Sequence, residues 1–360
     1  MIILRLLADD LTGALDTAAE FIPLTGSVPV FRPNGSRLDL PASAALDSAT
    51  RESEPAAAMA QVGRLVHLLE GADIAFKKID SLLRGPTLAE IAACMHAGIW
   101  RHCALAPAFP YHGRITRAGR QYIRTDDGQV AMGDDMVAGL RLLGVMARPS
   151  EPDSRLRPGV TVFDAETDED LQRIVATVRR CAEPVLWAGT GGLAQAIAAG
   201  LSHPAPAPLP RPILGLFGSD HPATAYQLAA CEPHWLHIED EAVEAVTARL
   251  AETGVALISF GIPPGTARAS AAEQIAARIR RLTDRIEPPG TLVVAGGETL
   301  RSVCDAVGAD SLLVQGRLLP GVARSVMGGG RWNCVTVVSK SGAFGHPLLL
   351  RELILERTAS

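Results

Sequence analysis

Residues 291–306 read TLVVAGGETLRSVCDA, and their order decides the fold class. Residues 292–295 are a short apolar run of the kind that makes a buried strand. Gly296 and Gly297 stop it, Glu298 and Thr299 follow, and Leu300, Val303, Cys304 and Val307 then recur at helical spacing. A strand, a glycine turn and a helix start leave backbone N–H groups free at the positive end of the helix dipole, a natural seat for phosphate. Read alone, the two glycines serve a plain turn equally well, since they form neither a Walker A loop nor GxGxxG and no lysine follows them. Residues 339–345, SKSGAFG, add weight. They follow the apolar run 335–338 and place Lys340, Ser341, Gly342 and Gly345 in a second glycine-broken loop. Two such loops in one α/β region suggest two walls of one phosphate-binding crevice.

Outward from there, the pattern repeats. Strand-like runs at 213–217, 255–260, 312–315 and 335–338 alternate with helical stretches. Residues 201–212, LSHPAPAPLPRP, form a proline-rich connector, and before it the alternation starts again from residue 2. The expectation is an α/β chain: two α/β domains with largely parallel sheets flanked by helices, residues 1–203 and 211–360, joined by a proline-rich hinge. Apolar residues make up 48% and aromatics only 4%, so the cores must be built mostly from Ala, Leu, Val and Ile. A net charge of −5 offers no basic surface for nucleic acid. No stretch is long enough to span a membrane. Six scattered cysteines without CxxC read as reduced thiols, and residues 2–8 read as a strand rather than a leader, so a cytoplasmic location is expected.

The N-terminal half carries its own polar clusters. Asp9, Asp10 and Thr12 stand where the strand at 2–8 turns into a helix with a stripe of Leu11, Ala14, Leu15, Ala18, Ala19 and Ile22. That turn lies at the carboxyl edge of a sheet, where ligands bind. Asp10 alone would serve as an N-cap, but two adjacent carboxylates exceed what a cap needs. Residues 77–86, KKIDSLLRGP, gather Lys77, Lys78, Asp80, Ser81 and Arg84 around one strand end. Such a set suits an anionic, hydroxylated ligand, with arginine as a fork for carboxylate and Asp and Ser for hydroxyls; a solvated turn with a local ion pair is the plainer alternative. Residues 107–122, PAFPYHGRITRAGRQY, form a rigid, basic, aromatic loop that includes Arg114.

Together the motifs LADDLTGALD, LDSATR, KKIDSLLRGP, APAFPYHGRIT, VFDAETDEDL, GTGGLA, GSDHPAT, GGET, LPGVARSVMGGG and SKSGAFG, in this order, resemble the four-carbon acid sugar kinases nearly end to end. That family phosphorylates acids such as threonate, erythronate and 3-oxo-tetronate with ATP. The resemblance implies an N-terminal domain for the sugar acid and a C-terminal domain for ATP. It implies that Asp10, Lys78, Asp80, Arg84 and Arg114 line the acid pocket, to which the strand-end clusters themselves add Asp9 and Ser81 as substrate-binding candidates. It implies that Ser219, Gly296, Gly297, Glu298, Thr299 and Gly342 hold the nucleotide. The chain departs from the family pattern at Leu82, Leu83 and Pro86, at Gly191, and at Asp220 and His221.

The mechanism expected on this basis is positioning and charge neutralisation rather than covalent chemistry. Backbone N–H groups of the 296–299 and 341–345 loops hold the ATP phosphates. Mg²⁺ bridges phosphate oxygens, with Glu298 as a candidate ligand. Arg84 holds the substrate carboxylate, and Asp80 or Asp10 takes the proton of the attacking hydroxyl. Closure over the hinge excludes water. A homodimer stays open. Two rivals are a dinucleotide-dependent dehydrogenase, which lacks GxGxxG after the first strand, and a non-catalytic binder of sugar acid or nucleotide.

Overall fold

The computed structural model describes residues 2–32, 39–125, 127–218, 221–239, 242–263 and 265–356. The chain forms two compact units that part between Ser202 and His203.

In the first unit, β1 (Leu4–Ala8), β2 (Val28–Phe31), β3 (Ala44–Asp47), β4 (Ile74–Lys78), β5 (His102–Ala106), β9 (Ala147–Ser150), β10 (Gly159–Phe163) and β11 (Val185–Gly189) form a parallel sheet in the order β2-β3-β1-β4-β11-β5-β10-β9. The central strands are buried along their whole length, as a parallel sheet covered on both faces requires. Helices α1 (Leu11–Thr25), α2 (Pro55–Leu65), α3 (Thr87–His96), α4 (Met136–Leu142), α5 (Asp168–Val178) and α6 (Gly191–Ile197) accompany it. The apolar stripe of α1 is wholly buried. Leu7, Leu46, Val62, Ile91, Leu105 and Leu186 belong to one core on a face of this sheet, with Trp100 a rare aromatic among them.

Residues 107–122, expected as a loop, contain strands. β6 (Arg114–Arg117), β7 (Arg120–Thr125) and β8 (Gly128–Met132) form a separate antiparallel sheet. The Gly-Arg pairs mark its start and its first hairpin turn rather than irregular backbone.

In the second unit, β12 (Ile213–Phe217), β13 (Trp235–Ile238), β14 (Val255–Phe260), β15 (Thr291–Ala295), β16 (Ser311–Leu319), β17 (Val322–Gly328) and β18 (Thr336–Lys340) follow the order β13-β14-β12-β15-β18-β17-β16. The first five in this order run parallel. The last two are an antiparallel hairpin, with β17 antiparallel to β18. Their burial alternates residue by residue, the sign of a sheet with one covered face, unlike the continuous burial of β12, β15 and β18. The helices are α7 (Pro222–Ala229), α8 (Val243–Thr253), α9 (Arg268–Arg285) and α10 (Gly297–Val307). Phe217, Leu257, Val293, Val338 and Leu350 belong to its core.

Candidate active site

Five adjacent strands of the first unit end level with one another. Ala8 stands opposite Asp47 and Lys78, Lys78 opposite Gly189, and Gly189 opposite Ala106. The residues that follow these ends meet at one carboxyl edge, the place where α/β sheets bind ligands.

Arg51, after β3, ties the edge together. Its Nε and Nη2 donate to Asp9 at 2.6 and 2.8 Å. Nη2 also lies 2.8 Å from Asp10 Oδ1, and Nη1 lies 3.4 Å from Asp80 Oδ1. Burial disfavours the guanidinium charge, but Asp10 and Asp9 outweigh it and hold the pKa above its ordinary value. Burial also pushes Asp9 up, and Arg51 with the two lysines pulls it below the usual carboxylate range. Sequence reading did not list Arg51 among the site residues; the signal available was that two adjacent buried carboxylates need a cation.

Asp10 serves as the N-cap and also joins the cluster at the edge. It caps α1 by accepting from Gly13 N at 2.9 Å, takes the Thr12 hydroxyl at 2.7 Å, and still faces Arg51. Asp80 is enclosed more tightly. Its Oδ2 accepts from the backbone N–H groups of Leu82 and Arg84 and from Arg84 Nε at 2.9 Å, and its Oδ1 accepts from Arg84 Nη2 at 2.8 Å. Burial pushes this carboxyl up, but the Arg84 fork and Arg51 dominate and hold it far below the usual range.

The four cations differ in what they already hold. Arg84, half exposed, spends its fork on Asp80. Lys78 is buried, and its ammonium has one ion-pair contact among the described residues, Asp16 Oδ1 at 3.9 Å. Arg114, on β6, donates Nη1 to the His112 carbonyl, and its buried Nε has no hydrogen-bond partner among the described residues. Burial lowers the Arg114 pKa. Among the described residues, no carboxylate lies within ion-pair distance of Arg114. Gln121 of β7 binds the antiparallel sheet to the edge, donating to Ser81 O at 3.1 Å and Pro107 O at 3.0 Å while accepting from the Thr116 hydroxyl.

Lys77 does not join this cluster. Neighbouring side chains on a strand point to opposite faces, and Lys77 is fully buried, 2.7 Å from Glu90 of α3. Thr50 donates to the other Glu90 oxygen, and Ser48 links Thr50 to the Ala8 carbonyl. This network fastens the ends of β1, β3 and β4 from behind.

In the second unit, the ends of β12, β15 and β18 lie side by side, with Phe217 opposite Ala295 and Ala295 opposite Lys340. Gly296, at φ +99°, turns the chain from β15 into α10, and its N–H donates to Lys340 O at 2.9 Å. The first turn of α10, at Gly297, Glu298 and Thr299, therefore opens beside the 341–345 loop. A Cβ at Gly218 would lie 2.6 Å from Thr299 Oγ1, so glycine keeps that approach tight. Thr224 donates to Gly342 O at 2.8 Å, and Gln227 Nε2 donates to the carbonyls of Phe344, Gly345 and His346. These two α7 residues, not singled out in the sequence, hold the loop that contains Ser341, Gly342 and Gly345.

Lys340 is not a loop residue. It ends β18, is 2% exposed, and donates Nζ to the carbonyls of Ser341 and Phe344 from beneath the loop. Burial lowers its pKa to about 7. Ser219 and Asp220 lie outside the described residues. Helix-start amides beside a glycine loop fit a chain of phosphates. Glu298 is exposed and 3.4 Å from Arg268, and no cluster of His, Cys, Asp or Glu suited to a metal occurs among the described residues. A divalent cation here would be held chiefly by phosphate oxygens and water.

Two family models match the chain in succession. A family model described as a sugar-binding N-terminal domain matches residues 4–151, and one described as a nucleotide-binding C-terminal domain matches residues 214–350. The chain is 30% identical to a D-threonate kinase of Cupriavidus necator, over 96% of this chain and 95% of that one. It is 29% identical to a D-threonate kinase of Bordetella bronchiseptica, over 95% and 94%. In fold it matches a solved structure from Salmonella typhimurium LT2, described as a putative tRNA synthase, with a TM-score of 0.73 at 19% identity, covering 99% and 100% of the two chains. Motif order, strand-end geometry and relatives of near-equal length converge: the chain belongs to the four-carbon acid sugar kinase family and is a kinase.

Proposed function

We propose that the protein transfers the γ-phosphoryl group of ATP to a hydroxyl of a four-carbon sugar acid, with D-threonate the foremost candidate and erythronate and 3-oxo-tetronate next. The relatives' names support this choice of substrate class. The observation that carries it is the pair of cations at the first unit's sheet edge, Lys78 and Arg114, neither of which makes a close pair with a carboxylate among the described residues. A small polyol bearing one carboxylate supplies what they lack, while Asp9, Asp10 and Ser81 suit its hydroxyls. Arg84 is the weaker reader of the acid, because releasing its fork would strand Asp80. Residues 1–203 hold the acid and residues 211–360 hold ATP, on the amides of 296–299 and 341–345. Mg²⁺, when bound, neutralises phosphate charge. The thiol usage and the lack of a membrane-length helix among the described residues fit a cytoplasmic enzyme.

Leaving a charged donor unpaired costs roughly 1.5–3 kcal/mol, so the acid should be preferred over its tetritol by about 10- to 150-fold. ADP release by wild type and Arg114→Met on a tetronate and the matching tetritol tests this. The substitution is expected to lower kcat/KM for the acid far more than for the tetritol. Equal losses on both would remove Arg114 as the acid reader.

A further inference from the structure

Four carboxylates act on the Lys78 ammonium: Asp9, Asp10, Asp80 and Asp16. Three already hold an arginine, at 2.6 Å for Asp9, 2.8 Å for Asp10 and 2.8 Å for Asp80. A carboxylate in a charge-assisted pair is a poor proton acceptor, because protonation must break that pair. Asp16 differs. It lies on α1 one helical turn past Gly13, and among the described residues no arginine is within ion-pair distance. Its Oδ1 accepts from the Thr17 hydroxyl at 2.8 Å and lies 3.9 Å from Lys78 Nζ, and its side chain keeps 25% of its surface open.

The space between these groups is built. A Cβ at Gly13 would lie 2.4 Å from Asp10 Oδ1 and 2.6 Å from Lys78 Nζ, so a glycine there lets the ammonium settle over the first turn of α1. The Lys78 side chain is 7% exposed, and its ammonium has no hydrogen-bond acceptor among the described residues. A buried cation with an open side, next to a carboxylate with a free oxygen, is a place for a ligand that is both anionic and hydroxylated.

We propose that Asp16, rather than Asp80 or Asp10, is the catalytic residue that takes the proton of the attacking hydroxyl. The inference rests on the phosphoryl-transfer reading above. In the step, the hydroxyl O–H bond breaks and its proton passes to Asp16 Oδ2. The oxygen's electron pair forms the new bond to the γ-phosphorus, and the bond from that phosphorus to the β–γ bridging oxygen breaks, its electrons leaving with ADP. Burial pushes the Asp16 carboxyl up to about 6, against the pull of Lys78 and Thr17, and Asp10 and Glu20 add to the rise. The charged groups acting on it are Lys78 from β4, Asp10 at the cap of α1, and Glu20 on α1 itself; of the strands also packed on α1, β1 carries Arg5 and β3 carries Asp47. Helix α6, also packed on α1, carries no charged side chain. A base of this strength is ionised at neutral pH and still basic enough to accept a proton in the transition state.

The test is the pH dependence of kcat for ADP release with a saturating tetronate, in wild type, Asp16→Asn and Asp16→Glu. Wild-type kcat is expected to fall tenfold per unit as pH drops below about 6. Asp16→Asn should lose roughly 100-fold or more in kcat and lose the acid limb, with KM for the tetronate changed less than about threefold. It should keep the melting shift that the tetronate gives. Asp16→Glu should restore part of kcat together with the limb. The proposal is overturned by an Asp16→Asn enzyme with kcat within about fivefold of wild type, or by a loss confined to KM. A flat wild-type profile between about pH 5 and 7.5 overturns it without any variant, so the folding of Asp16→Asn does not decide the matter. A wild type that releases no ADP with any tetronate removes the phosphoryl-transfer reading itself, and this assignment with it. An active wild type with an unimpaired Asp16→Asn removes only the assignment.

Discussion

Leu83 sits at φ +55°, in the left-handed region, within the turn that presents Asp80 and Arg84. A branched apolar side chain there costs ~1 kcal/mol or more, and asparagine tolerates the conformation better. Its side chain packs against the first unit's core, which explains how leucine is kept. The next turn residue, Gly85 at φ +78°, has no alternative, since a Cβ would lie 2.5 Å from the Arg51 carbonyl. Backbone conformation and side-chain packing thus pull in opposite directions at position 83, and a pair of substitutions separates them. Leu83→Val keeps more apolar area than Leu83→Asn but adds β-branching where φ is positive. If conformation dominates, thermal melts should place Leu83→Val below Leu83→Asn; the reverse order would show that packing decides the turn. The sequence marks the motif around this turn, yet φ is invisible in a string of letters. It equally hides which cation each carboxylate takes. Arg51 and Asp16 stand within LDSATR and LADDLTGALD, but only the level ends of β1, β3 and β4 bring Arg51 to Asp10 and Lys78 to Asp16.

At the scale of elements, runs with continuous burial are legible, while of the alternating strands only the apolar start of β16, at 312–315, is. β4, β12 and β15 read directly as apolar runs because both faces are covered. β17 and the β6–β7–β8 sheet are not marked in the sequence, since polar residues interrupt their apolar runs and period-2 alternation in a short segment is a weak signal. The strand β18 also reaches further than the apolar pattern suggests, and takes Lys340 with it. The sequence suggests a loop cation at this position, whereas the lysine is the floor under the loop. Its pKa has a consequence for stability. Burial lowers it to about 7 in the folded chain, against roughly 10.4 when unfolded. Between these values the unfolded chain binds more protons, so this group makes the fold more stable as pH rises from about 7 toward 10. Below about 7 both states are protonated and the dependence vanishes. Lys340→Met has no such group. The melting temperature of wild type relative to Lys340→Met should therefore climb between pH 7 and pH 9; a constant difference over that range would mean that the two carbonyls keep the ammonium charged despite its burial.

For the whole molecule, the sequence supplied the two α/β halves because each restarts the same alternation of apolar run and helical stripe on either side of the prolines. It also supplied the glycine loops, since strand, glycine and helix start are local in the chain. What required coordinates was the assembly of each edge from distant segments: residues 9–16, 51, 78–84 and 114 in the first unit, and residues 217–218, 296–299 and 340–345 in the second. If each edge serves one ligand, damage to one should leave the other's ligand bound. Gly296→Val puts a β-branched residue at φ +99°, which should twist the first-turn amides of α10 away from their direction at a cost of ~1–2 kcal/mol. Among the described residues a Cβ there would meet only Thr299 Oγ1, at 3.9 Å, so the effect should be on amide direction and not on packing. The expected result is a KM for ATP raised about tenfold or more, with the tetronate-induced melting shift intact. Arg114→Met should do the converse, keeping the ATP-induced shift while weakening the tetronate's. Measuring both shifts in both full-length variants makes a two-by-two comparison. Should either substitution abolish both shifts while the variant still melts cooperatively, the assignment of acid to the first unit and nucleotide to the second would fail.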